Sequence, residues 1–171
     1  EYQSGWHDFA LTTGDVLVFP SLIAEEHKPP PVQGAVPSGL TALDEVLGGG
    51  LDRGTTTILI GPSGVGKSSI ALRYAMAAVG RGEHAAYFSF DETFETLSRR
   101  AAALGLPVAE TVGAGTLSWN RANPSRLSPG EFVWQVGREV EDRQARIVVI
   151  DSLNSYLGTM PEERSLVLQM H

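Results

Sequence analysis

Apolar and polar positions fall into two rhythms along the chain, and the first segment shows the shorter one. Between Asp8 and Pro20, Phe9 and Leu11 alternate with polar or small residues, Gly14-Asp15 marks a tight turn, and Val16-Leu17-Val18-Phe19 returns. This pattern predicts a β-hairpin. Two strands bury too little surface to stand alone, so the hairpin must pack on another element. Pro29-Pro30-Pro31 can continue neither a helix nor a ladder and reads as a linker. The expected division is residues 1–31, hairpin plus Pro-rich linker, and residues 32–171, the main domain.

The main domain alternates helix and strand signals. Leu40, Leu43 and Leu47 share one face of a short amphipathic stretch stopped by Gly48-Gly49-Gly50. Thr55 to Ile60 is β-branched and apolar, which predicts a buried strand. Ser68 to Val79 is Ala-rich and helical, ending near Gly80 and Gly82. Ala85 to Phe90 predicts a second strand, and Thr93 to Leu104 a helix with Leu97, Ala101 and Leu104 on one side. Thr116 to Trp119 fits a short third strand. Ser128-Pro129-Gly130-Glu131 has the form of a capped helix start, followed by a stripe of Phe132, Val133, Val136 and Val140. Ile147 to Ile150 is a fourth apolar strand, and Pro161-Glu162-Glu163 opens a last helix. Strands apolar on both faces, alternating with helices, imply an α/β fold: a mainly parallel sheet covered by helices on both faces.

Composition narrows the class. The 171 residues are 42% hydrophobic and 19% charged, as in a globular protein. There are no cysteines, which excludes disulfides and thiolate metal sites. No apolar run approaches the roughly 18 residues that cross a bilayer, and the first residues lack a signal-peptide pattern. A cytoplasmic location is the natural expectation, with no membrane partner. The net charge of −7 disfavours nucleic acid as a partner, although a local basic loop would reverse that.

The strongest chemical signal is Gly61-Pro62-Ser63-Gly64-Val65-Gly66-Lys67-Ser68, which fits G-x-x-x-x-G-K-[ST]. Glycines let successive backbone N–H groups point inward at phosphate oxygens, and the following helix aims its positive end at the same anion. Lys67 can reach the β- and γ-phosphates, Ser68 offers a hydroxyl to Mg²⁺, and Ser69 belongs to the same binding stretch. Only two lysines occur, Lys28 and Lys67, and one holds the required place. The motif also follows a strand signal and opens a helix signal, the context it requires. The expected ligands are ATP and Mg²⁺.

Two further positions complete the candidate site. Asp151 ends the apolar run Ile147 to Ile150, where a carboxylate can share the Mg²⁺ with Ser68. Ser152 follows it, so no Asp-Glu pair stands there, and no glycine occupies the third position after it. Asp91-Glu92 ends the second strand, where ligands bind in open α/β sheets, and either acid could orient and deprotonate water. The alternative is that both merely favour the start of the helix at Thr93.

These residues resemble the KaiC-like branch of the RecA superfamily. The matching stretches are Pro37 to Asp44 with Gly48-Gly49-Gly50-Leu51, the phosphate loop, Phe90-Asp91-Glu92-Thr93, and Val149-Ile150-Asp151-Ser152-Leu153. The resemblance implies a three-layer P-loop NTPase fold, incomplete at the C-terminus. It also implies ATP bound between subunits of a hexameric ring, hydrolysis with Lys67, Asp91 and Glu92 as catalytic residues, signalling partners, and in clock-type members Ser/Thr autophosphorylation. Gly5-Trp6-His7-Asp8 resembles the segment closing one repeat before the next, which makes residues 1–31 the tail of a preceding ATPase repeat. Where the family carries two glutamates after the second strand, this chain has Asp91 first. The phosphorylated pair and the trans-acting basic residues are expected beyond His171, as is the strand between those of Asp151 and the phosphate loop. That predicts exposed sheet edges and a tendency to associate.

Other side chains have plainer readings. Arg99 and Arg100 read as the solvated face of their helix rather than phosphate contacts. His7 and His84 read as structural, Trp119 and Trp134 as core or interface, and Tyr156 carries no assignment. Three functions compete: a signalling ATPase with autokinase potential, a DNA-dependent recombinase or repair ATPase, and a nucleotide-dependent assembly module with little turnover.

Overall fold

The computed structural model describes residues 7–19, 33–123 and 127–157. The Pro29-Pro30-Pro31 linker, the domain boundary beside it, Gly5 and Trp6, and the helix expected from Pro161 lie outside the described residues.

The centre of the fold is a three-stranded parallel sheet. Strand β5 (His84–Ser89) lies between β6 (Leu117–Arg121) and β7 (Ala145–Asp151). Its alternating side chains build two cores. Ala85 and Tyr87 face one layer, with Leu72, Ala75 and Met76 of α2 (Lys67–Gly80), Leu97 and Ala101 of α3 (Phe94–Ala103), and Val108 of α4 (Val108–Gly113). Ala86 and Phe88 face the other, with Phe132 of α5 (Pro129–Glu141) and Tyr156 of α6 (Leu153–Leu157). Aromatic edges interlock there: Phe132 lies 5.3 Å from Phe88 and 4.7 Å from Tyr156, centroid to centroid. Tyr156 is thus a core residue. Helices cover both faces, as the apolar strands require.

Local side-chain caps account for two of the helix starts. Ser128 Oγ accepts from Glu131 N at 3.2 Å with Pro129 in the first turn, while the Glu131 carboxylate turns to Gln135. Thr93 Oγ1 caps α3 by accepting from Thr96 N. Leu104, expected on the buried side of α3, follows its last turn as the C-cap and is exposed. Helices α4 and α6 carried no periodicity long enough to be read from sequence.

The remaining strands are small. Strands β3 (Ala35–Val36) and β4 (Leu51–Asp52) pair antiparallel around α1 (Thr41–Val46), which buries none of its residues. In the hairpin, β1 (Asp8–Thr12) and β2 (Asp15–Phe19) pair so that Thr13-Gly14 form the turn, one residue earlier than expected. The hairpin leans on α5: Asp8 Oδ2 accepts from Gly130 N at 2.6 Å, and Phe19 packs 5.6 Å from Trp134.

One expected element is absent. Thr55–Ile60 joins no ladder among the described residues, and Ile58, Leu59 and Ile60 are 54%, 41% and 91% exposed. Strand propensity supplies no hydrogen bonds; a neighbouring backbone must, and the parallel sheet ends at β7. For the same reason Ile150, on that edge, is exposed rather than buried.

Candidate functional site

The phosphate loop has the backbone its sequence calls for. Gly64 and Gly66 adopt φ of 84° and 94°, left-handed values that a side chain would strain. Gly66 is the N-cap of α2 and brings no side-chain cap. Ile70 N bonds Gly66 O at 2.9 Å, so the N–H groups of Lys67, Ser68 and Ser69 precede the first intrahelical bond. Those three donors, with the helix dipole behind them, form an anion-seeking turn. Lys67 Nζ donates to Gly61 O and Pro62 O, both at 2.8 Å, which holds the ammonium over the loop. Pro62, Ser63 and Val65 are exposed along its rim.

The acids gather at the carboxyl end of the sheet. Ser89 and Asp151 are register partners, and Phe90 N bonds Asp151 O at 2.8 Å. Asp91 turns toward the segment after β7: its carboxylate accepts from Ser152 Oγ at 2.8 Å and Ser155 Oγ at 2.6 Å. Glu92 turns the other way. Its carboxylate accepts from Arg100 Nη2 at 2.6 Å and Nε at 3.3 Å, and Arg100 Nη1 donates to Ser69 Oγ at 3.2 Å. One guanidinium therefore joins Glu92 to the first turn of α2. The side-chain cap of α3 comes from Thr93 rather than from either acid.

Asp151 has a partner that no motif along the chain announces. Tyr87 Oη donates to Asp151 Oδ2 at 2.6 Å from the middle of the buried sheet. Burial first, and then the Asp151 charge, push the Tyr87 hydroxyl well above its ordinary value, so it stays a donor. Hydrogen bonding to Glu92 raises Arg100, which is charged in any case. Arg100 is the clear departure from expectation: Arg99 is exposed, but Arg100 folds inward onto Glu92 and Ser69. Helical phase held a signal: Arg100 stands three residues after Leu97 and beside Ala101, at the border of the buried stripe, whereas Arg99 faces away from it.

The donor set suits a hard cation. Ser68 and Asp151 supply oxygens, and Tyr87 engages only Oδ2 of the carboxylate. Among the described residues no group of three or more His, Cys, Asp or Glu gathers. Mg²⁺ takes few protein ligands and fills its shell with water and phosphate oxygens, so Ser68 and Asp151 are the residues that would hold it. No hydrogen bond joins Ser68 directly to Asp151 among the described residues; Arg100, Glu92 and Ser69 link the sheet end to α2. His84, beside Ser118 at 2.9 Å and Glu139 at 3.4 Å, is a structural residue. Trp119 packs on Phe94 and Trp134 on Phe19, as core and interface residues. No helix among the described residues is long and apolar enough to cross a membrane.

Comparison with known proteins adds a family. A family model described as ATPase: KaiC matches residues 36–170. The chain is 25% identical over 154 residues to the circadian clock oscillator protein KaiC of Picosynechococcus sp., covering 90% of this chain and 30% of that protein. It is 26% identical over 154 residues to the protein of the same name from Acaryochloris marina, covering 90% of this chain and 29% of that one. The match to the one from Thermostichus vulcanus is 29% over 120 residues, covering 70% and 23%. The chain thus spans at most 30% of the length of these relatives.

Proposed function

This chain belongs to the KaiC family of RecA-type ATPase domains, and from that membership we propose that it binds ATP with Mg²⁺ at Gly61–Ser69 and hydrolyses it within a signalling ATPase. In this reading the N–H groups of the loop and of Lys67 to Ser69 cradle the phosphates, and Lys67 neutralises the β- and γ-oxygens. Ser68 and Asp151 hold Mg²⁺, which would stabilise charge developing on the phosphates. Glu92, beside the first turn of α2, orients the attacking water; Asp91 supports the loop through Ser152 and Ser155. Assembly into a homo-oligomeric ring, and serine/threonine autophosphorylation in the full-length protein, extend the proposal from the clock proteins named above.

The observation that carries it is the uncapped start of α2 with Lys67 Nζ folded over the Gly61 and Pro62 carbonyls. The test is Lys67→Ala in the full-length protein, followed by ATP binding and γ-phosphate release. Removing a preorganised donor to a reacting anion costs about 10²–10³ in rate, and a loss of that order is expected. Unchanged affinity and turnover would overturn the proposal. Adding DNA to the same assay should leave the rate unchanged, and labelled ATP should mark a phosphoprotein if the autokinase extension is right.

One observation favours a second reading. Both acids at the sheet end are already engaged, Asp91 by two serines and Glu92 by Arg100. A nucleotide-dependent assembly module with little turnover would look the same. ATP-dependent growth in sedimentation coefficient without phosphate release would identify it.

A further inference from the structure

Arg100 does not behave as a solvated helix-face residue. Its Nε, Nη1 and Nη2 all reach acceptors: two on the Glu92 carboxylate, at 3.3 and 2.6 Å, and one on Ser69 Oγ, at 3.2 Å. The Glu92 backbone is pinned as well. Its N–H donates to Ser89 Oγ at 3.3 Å, and Ser89 Oγ donates to Glu92 O at 2.9 Å. The base of Arg100 is fixed by α3, whose Leu97 and Ala101 are fully buried. Glu92 is thus held at both ends, and the guanidinium that holds its carboxylate also reaches Ser69 in the first turn of α2. A bidentate guanidinium uses two of about four lone-pair sites on a carboxylate. Sites are left to accept from a water.

We infer that Arg100 is a positioning residue for the reaction proposed above: it ties the Glu92 carboxylate to Ser69 in the first turn of α2, and that placement sets the rate of water attack. The inference rests on the ATPase reading. Its chemistry adds no step. Arg100 stays protonated throughout; Glu92 orients the water, whose oxygen bonds the γ-phosphorus as the bond to the ADP oxygen breaks, and the water's proton passes to the inorganic phosphate released. Only the planar fork of arginine serves both carboxylate oxygens at once; a lysine ammonium is a single point charge.

The test is steady-state ATP hydrolysis and separate ATP binding by the full-length protein carrying Arg100→Ala, Arg100→Lys, Glu92→Gln, or Arg100→Ala with Glu92→Gln, with Arg99→Ala as the control. Misplacing a catalytic group by about 1 Å costs about 10²-fold, so Arg100→Ala should lower kcat by ~10- to 100-fold. ATP affinity should stay within about threefold, since the lost interaction acts in the transition state. Arg100→Lys should recover little, Arg99→Ala should match wild type, and Arg100→Ala should cost nothing further in the Glu92→Gln background.

A weakened ATP affinity at constant kcat would make Arg100 a phosphate ligand and overturn the inference. A faster kcat would make it a restraint and overturn it too, as would multiplicative losses in the double variant. If Arg100→Ala fails to fold, Arg100→Gln replaces it in the same cycle. Turnover by wild type that Lys67→Ala abolishes, with Arg100 variants equal to wild type, would sink only this inference. No turnover by wild type would sink both.

Discussion

Single side chains decide how the site is held. Asp44 accepts from Ser38 N at 2.7 Å and Gly39 N at 3.2 Å, which closes the turn leading into α1. The Ser38 backbone bond, foremost, holds its carboxyl below the ordinary 3.8. A depressed folded value means the contribution to stability is present above the unfolded pKa and is lost as pH falls through the folded one. Wild type should therefore lose thermal stability more steeply than Asp44→Asn below about pH 4; parallel midpoint-against-pH curves for the two would contradict this. Tyr87 makes a comparable case inside the sheet. Tyr87→Phe keeps the ring but removes a buried bond to a carboxylate, at a cost of about 1.5–3 kcal/mol for a charged partner. Urea unfolding measures it, and a loss below half that range would mean that Asp151 finds another donor.

Secondary elements show where local rules suffice and where they stop. Helix α5 is specified at its start by Ser128 and Pro129, and it then serves two neighbours, the sheet through Phe132 and the hairpin through Trp134 and Gly130. Ser128→Ala should cost about 1 kcal/mol, read in urea by tryptophan fluorescence, with no change in nucleotide binding at low denaturant. Gly50 is set by contact rather than by propensity: with φ of +135°, a Cβ there would run into the Val36 carbonyl. Gly50→Ala should open the β3–β4 pair, visible as loss of amide exchange protection at Val36 and Leu51. The segment Thr55–Ile60 fails as a strand although its residues favour one, because a ladder is a property of two segments.

The molecule as a unit presents unpaired apolar surface. Ile58, Leu59 and Ile60 stand exposed on an unladdered segment, and Ile150 is exposed at the β7 edge. Unprotected edges and contiguous apolar patches promote association. The net charge of −7 opposes it at low ionic strength and less so in salt. The 171-residue chain should therefore gain apparent mass in light scattering as salt and concentration rise. Ile60→Lys should reduce that gain while leaving circular dichroism unchanged; a monomer under all conditions would refute the expectation. Three parallel strands under two helical layers still make a cooperative body, since β5 is buried on both faces.

Chain-local information was enough for the glycine-rich loop, the cap at Ser128, the three paired strands of the parallel sheet and helices α2, α3 and α5. Each depends on neighbours within a few positions: glycines that permit positive φ, hydroxyls that reach three residues on, apolar periods that mark a buried face. Folding alone settled which acceptors Arg100 meets, that Glu92 and Asp91 part toward different partners, that Tyr87 meets Asp151, that the hairpin rests on α5, and that Thr55–Ile60 goes unpaired. Those outcomes join residues as far as 122 positions apart. Their energies exist only once packing has brought the partners within bonding distance, so no pattern along one stretch of chain can announce them.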